Sequence, residues 1–247
     1  MNMTVHDEEK NIGVSRLPAG ILQYFVDIPV ECPYGLGFTA VYRQALFAGL
    51  PDPIMGSFLF AGFRRNGNSL YNIACPECKG CVSLRVDPRK FKPNRNQKRV
   101  FQRNQDVTAE FGPVHITDEK IDLLNRFFSS RYPRADNAAE DYYNGFFLNS
   151  CTRTYEIRYR TKGRLIGVAV VDVGNKWLNG VYFFFDPDES GRSPGTFNIL
   201  NIIDFCRRQG ISYVYLGYWI ENVQAMSYKA NFKPHEVLCH GQWELRI

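Results

Sequence analysis

The stretch Val181-Tyr182-Phe183-Phe184-Phe185-Asp186-Pro187-Asp188-Glu189-Ser190-Gly191-Arg192-Ser193-Pro194-Gly195-Thr196 decides the fold. It opens as an apolar and aromatic run, the end of a strand from Trp177 to Phe185, and closes on a carboxylate that stands at the mouth of a sheet. A polar loop follows. Pro194 suits the first turn of a helix, where its missing N–H costs nothing. Apolar spacing then predicts a helix from about Gly195 to Gln209, stopped by Gly210 in the C′ position. Ser212 to Tyr218 returns as a buried strand.

Working outward, two more strands precede this unit, Thr154 to Arg160 and Leu165 to Asp172. The turns Lys162-Gly163 and Gly174-Asn175 are short enough to make antiparallel hairpins. Further upstream, Val107 to Phe111 reads as a strand and Thr117 as an N-cap with Asp118 and Glu119 in the first turn. Ile121, Leu124 and Phe128 recur behind it at helical spacing, and a second helix is expected near Ala138 to Leu148. Downstream come a helix over Glu221 to Ala230 and a final hairpin. There is no internal repeat and no low-complexity segment. The order β-α-α-β-β-β-α-β-α-β-β, with a central helix reached through a glycine-bearing loop, resembles the Gcn5-related acyltransferase (GNAT-like) fold. The expected class is therefore α+β, with a GNAT-like domain over 107–247. A smaller cysteine-containing basic region over 22–106 and a loosely held tail over 1–21 precede it.

Charge is concentrated upstream of that domain. From Arg85 to Arg103 the chain carries eight Lys/Arg against the single acid Asp87, a net +7. The whole chain carries only +5, so the remainder sums to −2. Charge focused in this way suits a polyanion such as a phosphate backbone; a solvated basic face is the plain alternative. Apolar content of 45% over 247 residues fits a folded chain with a substantial core. No apolar run approaches the roughly 20 residues that cross a bilayer, and the N-terminus has no secretory apolar segment. Seven cysteines, an odd number in a chain of this size, argue against a disulfide framework. The expected compartment is the cytoplasm, with no membrane partner.

In the acyltransferase fold the loop before the central helix receives the phosphates of coenzyme A on free backbone amides. A helix N-terminus exposes unpaired N–H groups, and a glycine lets an anion come close. Arg192 and Gly195 have the matching R-x-x-G spacing, but Asp186, Asp188 and Glu189 crowd the same loop, which a pyrophosphate would not favour. Ser193, Pro194 and Gly195 could equally do no more than start the helix.

Several motifs in order resemble the arginyl-tRNA–protein transferases and their bacterial relatives, the aspartate/glutamate leucyltransferases. In the C-terminal half these are Phe184-Phe185-Asp186-Pro187-Asp188, Arg192-Ser193-Pro194-Gly195-Thr196, Tyr215-Leu216-Gly217-Tyr218-Trp219-Ile220 and Tyr228-Lys229-Ala230-Asn231-Phe232-Lys233-Pro234. In the N-terminal half, Gly62-Phe63-Arg64-Arg65-Asn66-Gly67 is similar to the family's G-F-R-R-S-G. Cys75-x-x-Cys78-x-x-Cys81 followed by Asn94-Arg95-Asn96-Gln97-Lys98-Arg99 is similar to its cysteine cluster and S-R-S-Q-R-R, with Cys32-Pro33-Tyr34 upstream. The departures (Asn66, Asn94 and Asn96 for serines, Pro194 for a leucine) keep charge and polarity. The length, without a large insertion between the halves, looks like the bacterial branch.

The resemblance implies transfer of an aminoacyl group, leucine in preference to arginine, from a charged tRNA to acceptor proteins that begin with Asp or Glu. Such proteins are thereby marked for degradation through an N-degron pathway. Positioning and oxyanion stabilisation would carry most of the chemistry, with no cofactor required. Arg89, Lys90, Lys92, Arg95, Lys98, Arg99 and Arg103 would face tRNA phosphates, and Asn94 and Gln97 would fix register. Arg192, Gly195 and Thr196 would hold the 3′-terminal adenosine. Asp186, and after it Asp188, would orient or deprotonate the acceptor amine, unless Asp186 only caps its loop. Arg64, Arg65 and Lys229 would supply the cationic pocket for the acidic residue. Tyr218, Trp219 and Tyr228 would line or stack in the aminoacyl site, with core packing as the alternative. Cys32, Cys75, Cys78 and Cys81 offer four thiolates, enough for an iron–sulfur cluster or tetrahedral zinc, and are also compatible with a reduced turn. Cys151, Cys206 and Cys239 read as core. A coenzyme A-dependent N-acetyltransferase and a metal-stabilised RNA-binding module without catalysis are the competing functions.

Overall fold

The computed structural model describes residues 17–132 and 138–247. Most of the tail expected over 1–21 lies outside the described residues. The chain runs through β1 (Val26–Glu31), β2 (Thr39–Leu46), α1 (Asp52–Phe60), β3 (Arg64–Asn66), β4 (Ser69–Ile73) and β5 (Val82–Val86). It continues through α2 (Arg95–Arg103), β6 (Val107–Pro113), α3 (Asp118–Arg131), α4 (Ala139–Tyr142), β7 (Thr154–Thr161), β8 (Arg164–Val173) and β9 (Trp177–Phe185). The last third holds α5 (Pro194–Arg208), β10 (Tyr213–Trp219), α6 (Gln224–Ser227), β11 (His235–Cys239) and β12 (Gln242–Arg246). Among the described residues no helix is long and apolar enough to cross a membrane.

Two sheets result. β1, β2, β4 and β3 make a small antiparallel one, and eight strands in the order β12-β11-β5-β10-β9-β8-β7-β6 make the main one. The Lys162-Gly163 turn explains the β7–β8 hairpin: both residues have positive φ, 49° and 81°, the geometry whose twist matches two antiparallel strands. On one face of the main sheet α5 buries Phe197, Ile199, Leu200, Ile202, Ile203 and Cys206. On the other, α3 buries Leu123, Leu124, Phe127 and Phe128 against Leu165, Val168, Val170 and Phe184. The Thr117 hydroxyl caps α3 by accepting from the Lys120 N–H, as its position before two acids predicts. The α+β, GNAT-like architecture with a smaller N-terminal region is the one observed.

Three local details differ from expectation. β5 belongs to the main sheet, antiparallel between β11 and β10, so the sheets divide between Ile73 and Val82, upstream of residue 106. Leu84 and Val86 explain this: they are fully buried in the α5-side core, at the two-residue spacing of one sheet face. The helix expected near Ala138 to Leu148 turns into a wider π-helical coil over Tyr143–Phe147. That frees the Phe146 carbonyl to accept from Gly67 and from Arg65. The helix expected over Glu221 to Ala230 is only the four residues of α6, followed by a 3-10 turn over Tyr228–Asn231.

The sheets are joined by a buried ion pair. Arg65 on β3 reaches Asp172 on β8 at 2.9 Å, with both side chains fully excluded from solvent. Asp172 also accepts from Thr154 (2.6 Å) and Asn179 (3.1 Å), and Arg65 donates to the carbonyls of Gly67 and Phe146. Removing one partner of such a pair strands the other, at a cost of about 3–5 kcal/mol.

Candidate active site

β9 and β10 run parallel, but pair only over Tyr213–Tyr215 against Trp177–Asn179. Past this point β10 turns away: Gly217 takes φ 78°, and the register against β5 shifts between Tyr215 and Tyr218. The C-terminal halves of the two strands therefore part and leave a cleft in the middle of the sheet. α5 starts beside it. Its N-cap, Ser193, is left-handed at φ 56° and offers no side-chain hydrogen bond, so the amides of Gly195 and Thr196 enter the first turn uncapped. Tyr228 packs directly against this terminus. A Cβ on Gly195 would lie 3.3 Å from the Tyr228 hydroxyl, a tight approach.

Against the diverging end of β10 lies a guanidinium with no carboxylate partner among the described residues. Arg64 is 4% exposed; it donates to the carbonyls of Phe63 (2.7 Å) and Gly217 (3.4 Å), and its Nε has no partner. Its centre lies 5.6 Å from the Tyr215 ring and 5.5 Å from the Tyr218 ring. Burial pushes its pKa below the ordinary arginine value. Lys229 is beside it, donating to the Tyr218 carbonyl at 2.9 Å and lying 3.5 Å from the Met226 sulfur. Burial and then the Arg64 charge push the Lys229 ammonium down to about 7. Among the described residues neither side chain has a carboxylate partner. Rings line the approach: Tyr71 lies 6.3 Å from Tyr218, Tyr42 5.4 Å from Tyr71, and Tyr142 5.6 Å from Tyr182 on β9.

The loop before α5 is held from below. Asp186 is fully buried, ion-paired with Arg126 of α3 at 2.9 Å and with Arg164 of β8, and accepts from the Asp188 N–H. Burial alone would raise its carboxyl; the Arg126 guanidinium, the Asp188 N–H and Arg164 outweigh this and hold it below the usual carboxylate range. Both oxygens are committed, so Asp186 caps and anchors the loop and is not presented to an incoming amine. Asp188 is exposed on the loop surface.

α2 brings the basic segment to the same end of the sheet. Arg192 grips Asp106 through two contacts, 2.7 and 3.0 Å, and also pairs with Glu189. Asn104 donates to the Arg192 carbonyl, Arg103 to the Gly191 carbonyl, and Gln97 to the Asn231 carbonyl at 3.1 Å. The Arg192 guanidinium, followed by the Thr161 hydroxyl, holds the Asp106 carboxyl down at about 2. Lys90, Lys92, Arg95, Lys98, Arg99 and Arg103 are exposed, and Arg89 is exposed while pairing with Asp87. Phe101 on the same helix is 48% exposed, with its ring 6.1 Å from Phe197 of α5.

Several expected roles change with this geometry. Asn94 and Gln97 form a reciprocal capping box at the start of α2, each side-chain oxygen accepting the other's N–H, so both are engaged in ordering the helix. Arg65 is spent on Asp172 and cannot also form an acceptor pocket. Arg192 is spent on Asp106 and Glu189 and ties the loop to α2, leaving Gly195 and Thr196 as the open part of the anion cradle. Tyr218 is buried with its hydroxyl on the Gly62 carbonyl (3.2 Å), and Trp219 is half-buried against the main core. Sequence reasoning missed Asp106, Arg126, Arg164 and Tyr71, whose partners are distant in the chain and leave no local signal. Phe101 could have been noticed as an aromatic set within a run of cations.

Cys32, Cys75, Cys78 and Cys81 do converge, lining one small cavity of about 20 Å³ together with Tyr34 and Tyr42. Burial and the neighbouring Cys75, Cys78 and Cys32 thiols push Cys81 up to about 12. Four thiols are suitable donor chemistry for zinc or an iron–sulfur cluster. Their arrangement is not: among the described residues no group of three or more His, Cys, Asp or Glu side chains is placed to hold a metal ion. Cys151 and Cys206 are buried and Cys239 is half-buried.

Comparison with known proteins gives the family. Residues 31–99 match the family model described as arginine-tRNA-protein transferase, N terminus, and residues 119–239 match its C terminus. An aspartate/glutamate leucyltransferase of Nitrosococcus oceani is 40% identical, covering 90% of this chain and 95% of the relative. One from Gluconacetobacter diazotrophicus is 36% identical, covering 89% and 86%. Among solved structures, the C-terminal domain of a putative lysylphosphatidylglycerol synthetase from Agrobacterium fabrum superposes with a TM-score of 0.51 at 18% identity. It covers 82% of this chain and 66% of that one, a likeness of fold alone. With both halves of its sequence matched, and relatives aligned along nearly its whole length, the chain belongs to the arginine-tRNA-protein transferase family.

Proposed function

We propose that the protein transfers leucine from leucyl-tRNA to the α-amino group of acceptor proteins that begin with Asp or Glu, marking them for degradation. The observation that carries this reading is Arg64, a buried guanidinium with no carboxylate partner among the described residues, against the end of β10 where it parts from β9. A buried charge without a partner is costly, and an acceptor's acidic side chain is the group that would relieve it. The relatives' identity as aspartate/glutamate leucyltransferases supports the same aminoacyl group and acceptor residues.

The parts then have assignable roles. The exposed cations of α2 hold the acceptor stem of the tRNA by its phosphates, and Phe101 offers a face on which a base can stack. The uncapped amides of Gly195 and Thr196 receive the 3′ end, with Tyr228 beside them. Rings along β9 and α4 give the aminoacyl side chain an apolar wall. Asp186 is locked between two arginines and Asp188 lies outside at the surface, which favours leucine over arginine, since an arginine donor would need a free carboxylate. The reaction as drawn uses no cofactor, and no step depends on a metal at Cys32, Cys75, Cys78 and Cys81. The acids of the Asp186–Arg192 loop speak against coenzyme A.

The test is direct. The protein is incubated with an acceptor peptide beginning with Asp and, separately, leucyl-tRNA, arginyl-tRNA and acetyl-CoA, and the product mass is read. Addition of one leucyl residue is expected. Addition of arginine only, or of acetyl from acetyl-CoA, would replace this reading.

A further inference from the structure

We infer that Lys229 is the proton acceptor for the incoming α-amino group. This deepens the reading above and rests on it. The incoming amine arrives largely protonated near neutral pH, since its reference pKa is about 8, and only the neutral form can attack an ester. Asp186, the carboxylate nearest the cleft in sequence, has both oxygens bound to arginines and a backbone N–H. Lys229 stands where a base is needed. Its Nζ and the Arg64 guanidinium converge on one piece of β10, with Arg64 donating to the Gly217 carbonyl and Lys229 to the Tyr218 carbonyl. Nζ lies directly over Gly217, 3.6 Å from where a Cβ would stand, an ordinary contact distance. An acceptor whose acidic side chain pairs with Arg64 would bring its own amine toward Lys229.

The surroundings favour a neutral lysine. The groups that meet it are the Arg64 charge from β3, the Tyr218 carbonyl of β10 and the Met226 sulfur of α6. None is an acid. With burial and the Arg64 charge both acting against its ammonium form, Lys229 titrates at about 7, where a base works best at neutral pH. Balanced as a reaction, Lys229 Nζ takes a proton from the acceptor ammonium. The freed nitrogen attacks the ester carbonyl of leucyl-tRNA, the N–C bond forms and the C–O bond to the ribose breaks. The Lys229 ammonium returns a proton to the leaving ribose oxygen, and the second amine proton goes to solvent.

Lys229→Arg and Lys229→Gln separate a base from a simple cation. Arginine keeps the charge but cannot give up its proton. Single-turnover transfer by both variants should fall about 10²–10⁴-fold, with the acceptor KM within about threefold of wild type. The inflection near pH 7 in the wild-type kcat profile should disappear in both, and in wild type it should not move between acceptor peptides of different amine pKa. Lys229→Arg that keeps more than about a third of the wild-type rate, or that raises KM while sparing kcat, overturns the inference. If a variant does not fold, trace labelling of wild-type lysines with acetic anhydride across pH still decides. A Lys229 midpoint near 7 supports the inference, and one near the ordinary 10.4 refutes it. Wild type that transfers no leucine would instead refute the proposed reaction, and is recognised separately.

Discussion

Replacing Arg64 with methionine should separate recognition from stability. The side chain is 4% exposed and gives up two hydrogen bonds, to Phe63 and Gly217, each worth about 1 kcal/mol net. Against that, the variant no longer buries a charge without an anion, a relief of similar or greater size. The two effects nearly offset, so the melting temperature should stay within about 4 °C of wild type, equivalent to about 1 kcal/mol in a chain of this length. Acceptor recognition should change far more. A carboxylate desolvated in the cleft and left without its guanidinium loses about 2–5 kcal/mol, or roughly 30- to 4,000-fold in kcat/KM for an Asp-initiated peptide. The assay is leucyl transfer at saturating leucyl-tRNA, with acceptor concentration varied, beside a thermal melt. A variant that melts far below wild type yet keeps its acceptor kcat/KM would refute the reasoning, because Arg64 would then be a structural group.

Other outcomes follow from the same geometry. Arg65→Met, one residue away, should cost about 3–5 kcal/mol and about 10 °C of melting temperature by stranding Asp172, with acceptor KM unchanged in whatever protein remains folded. If five or six cations of the α2 segment contact phosphates, log affinity for tRNA should fall against log salt with a slope of about −4 to −5; Arg95→Glu with Lys98→Glu should remove most of that dependence, measured by filter binding. Asp186 has a lowered pKa, so its contribution to stability is present above the unfolded value near 3.9 and is lost as pH falls through the folded one. Asp186→Asn should therefore melt well below wild type at pH 7, and the gap should close at the acidic end of a pH series.

The strands, the central helix and the start of α5 were legible in the sequence because each depends on local spacing. Trp177–Phe185 is a strand as expected, and α5 begins at Pro194, one residue before the expected start. Long-range pairing was not legible. Nothing local tells Val82–Val86 that its neighbours are β10 and β11, since that choice depends on where Leu84 and Val86 find a core. The same limit explains the arginines. The sequence shows that Arg64, Arg65 and Arg192 carry charge, but only the fold reveals that Asp172 and Asp106 neutralise two of them and leave Arg64 unmatched. The cluster of Cys32 with Cys75, Cys78 and Cys81 was readable as a shared place, whereas its side-chain arrangement was not.

The central claim is that the cleft reads a carboxylate at the acceptor's first residue and receives an aminoacyl group from tRNA. Two peptides identical except for Asp or Asn at position one differ in charge but hardly in shape. Their rates of leucine transfer from leucyl-tRNA, compared by product mass in one reaction vessel, test it most directly. The Asp peptide should be leucylated at least about 100-fold faster, since the Asn peptide leaves the Arg64 charge unpaired. Equal rates for the two peptides would contradict the account.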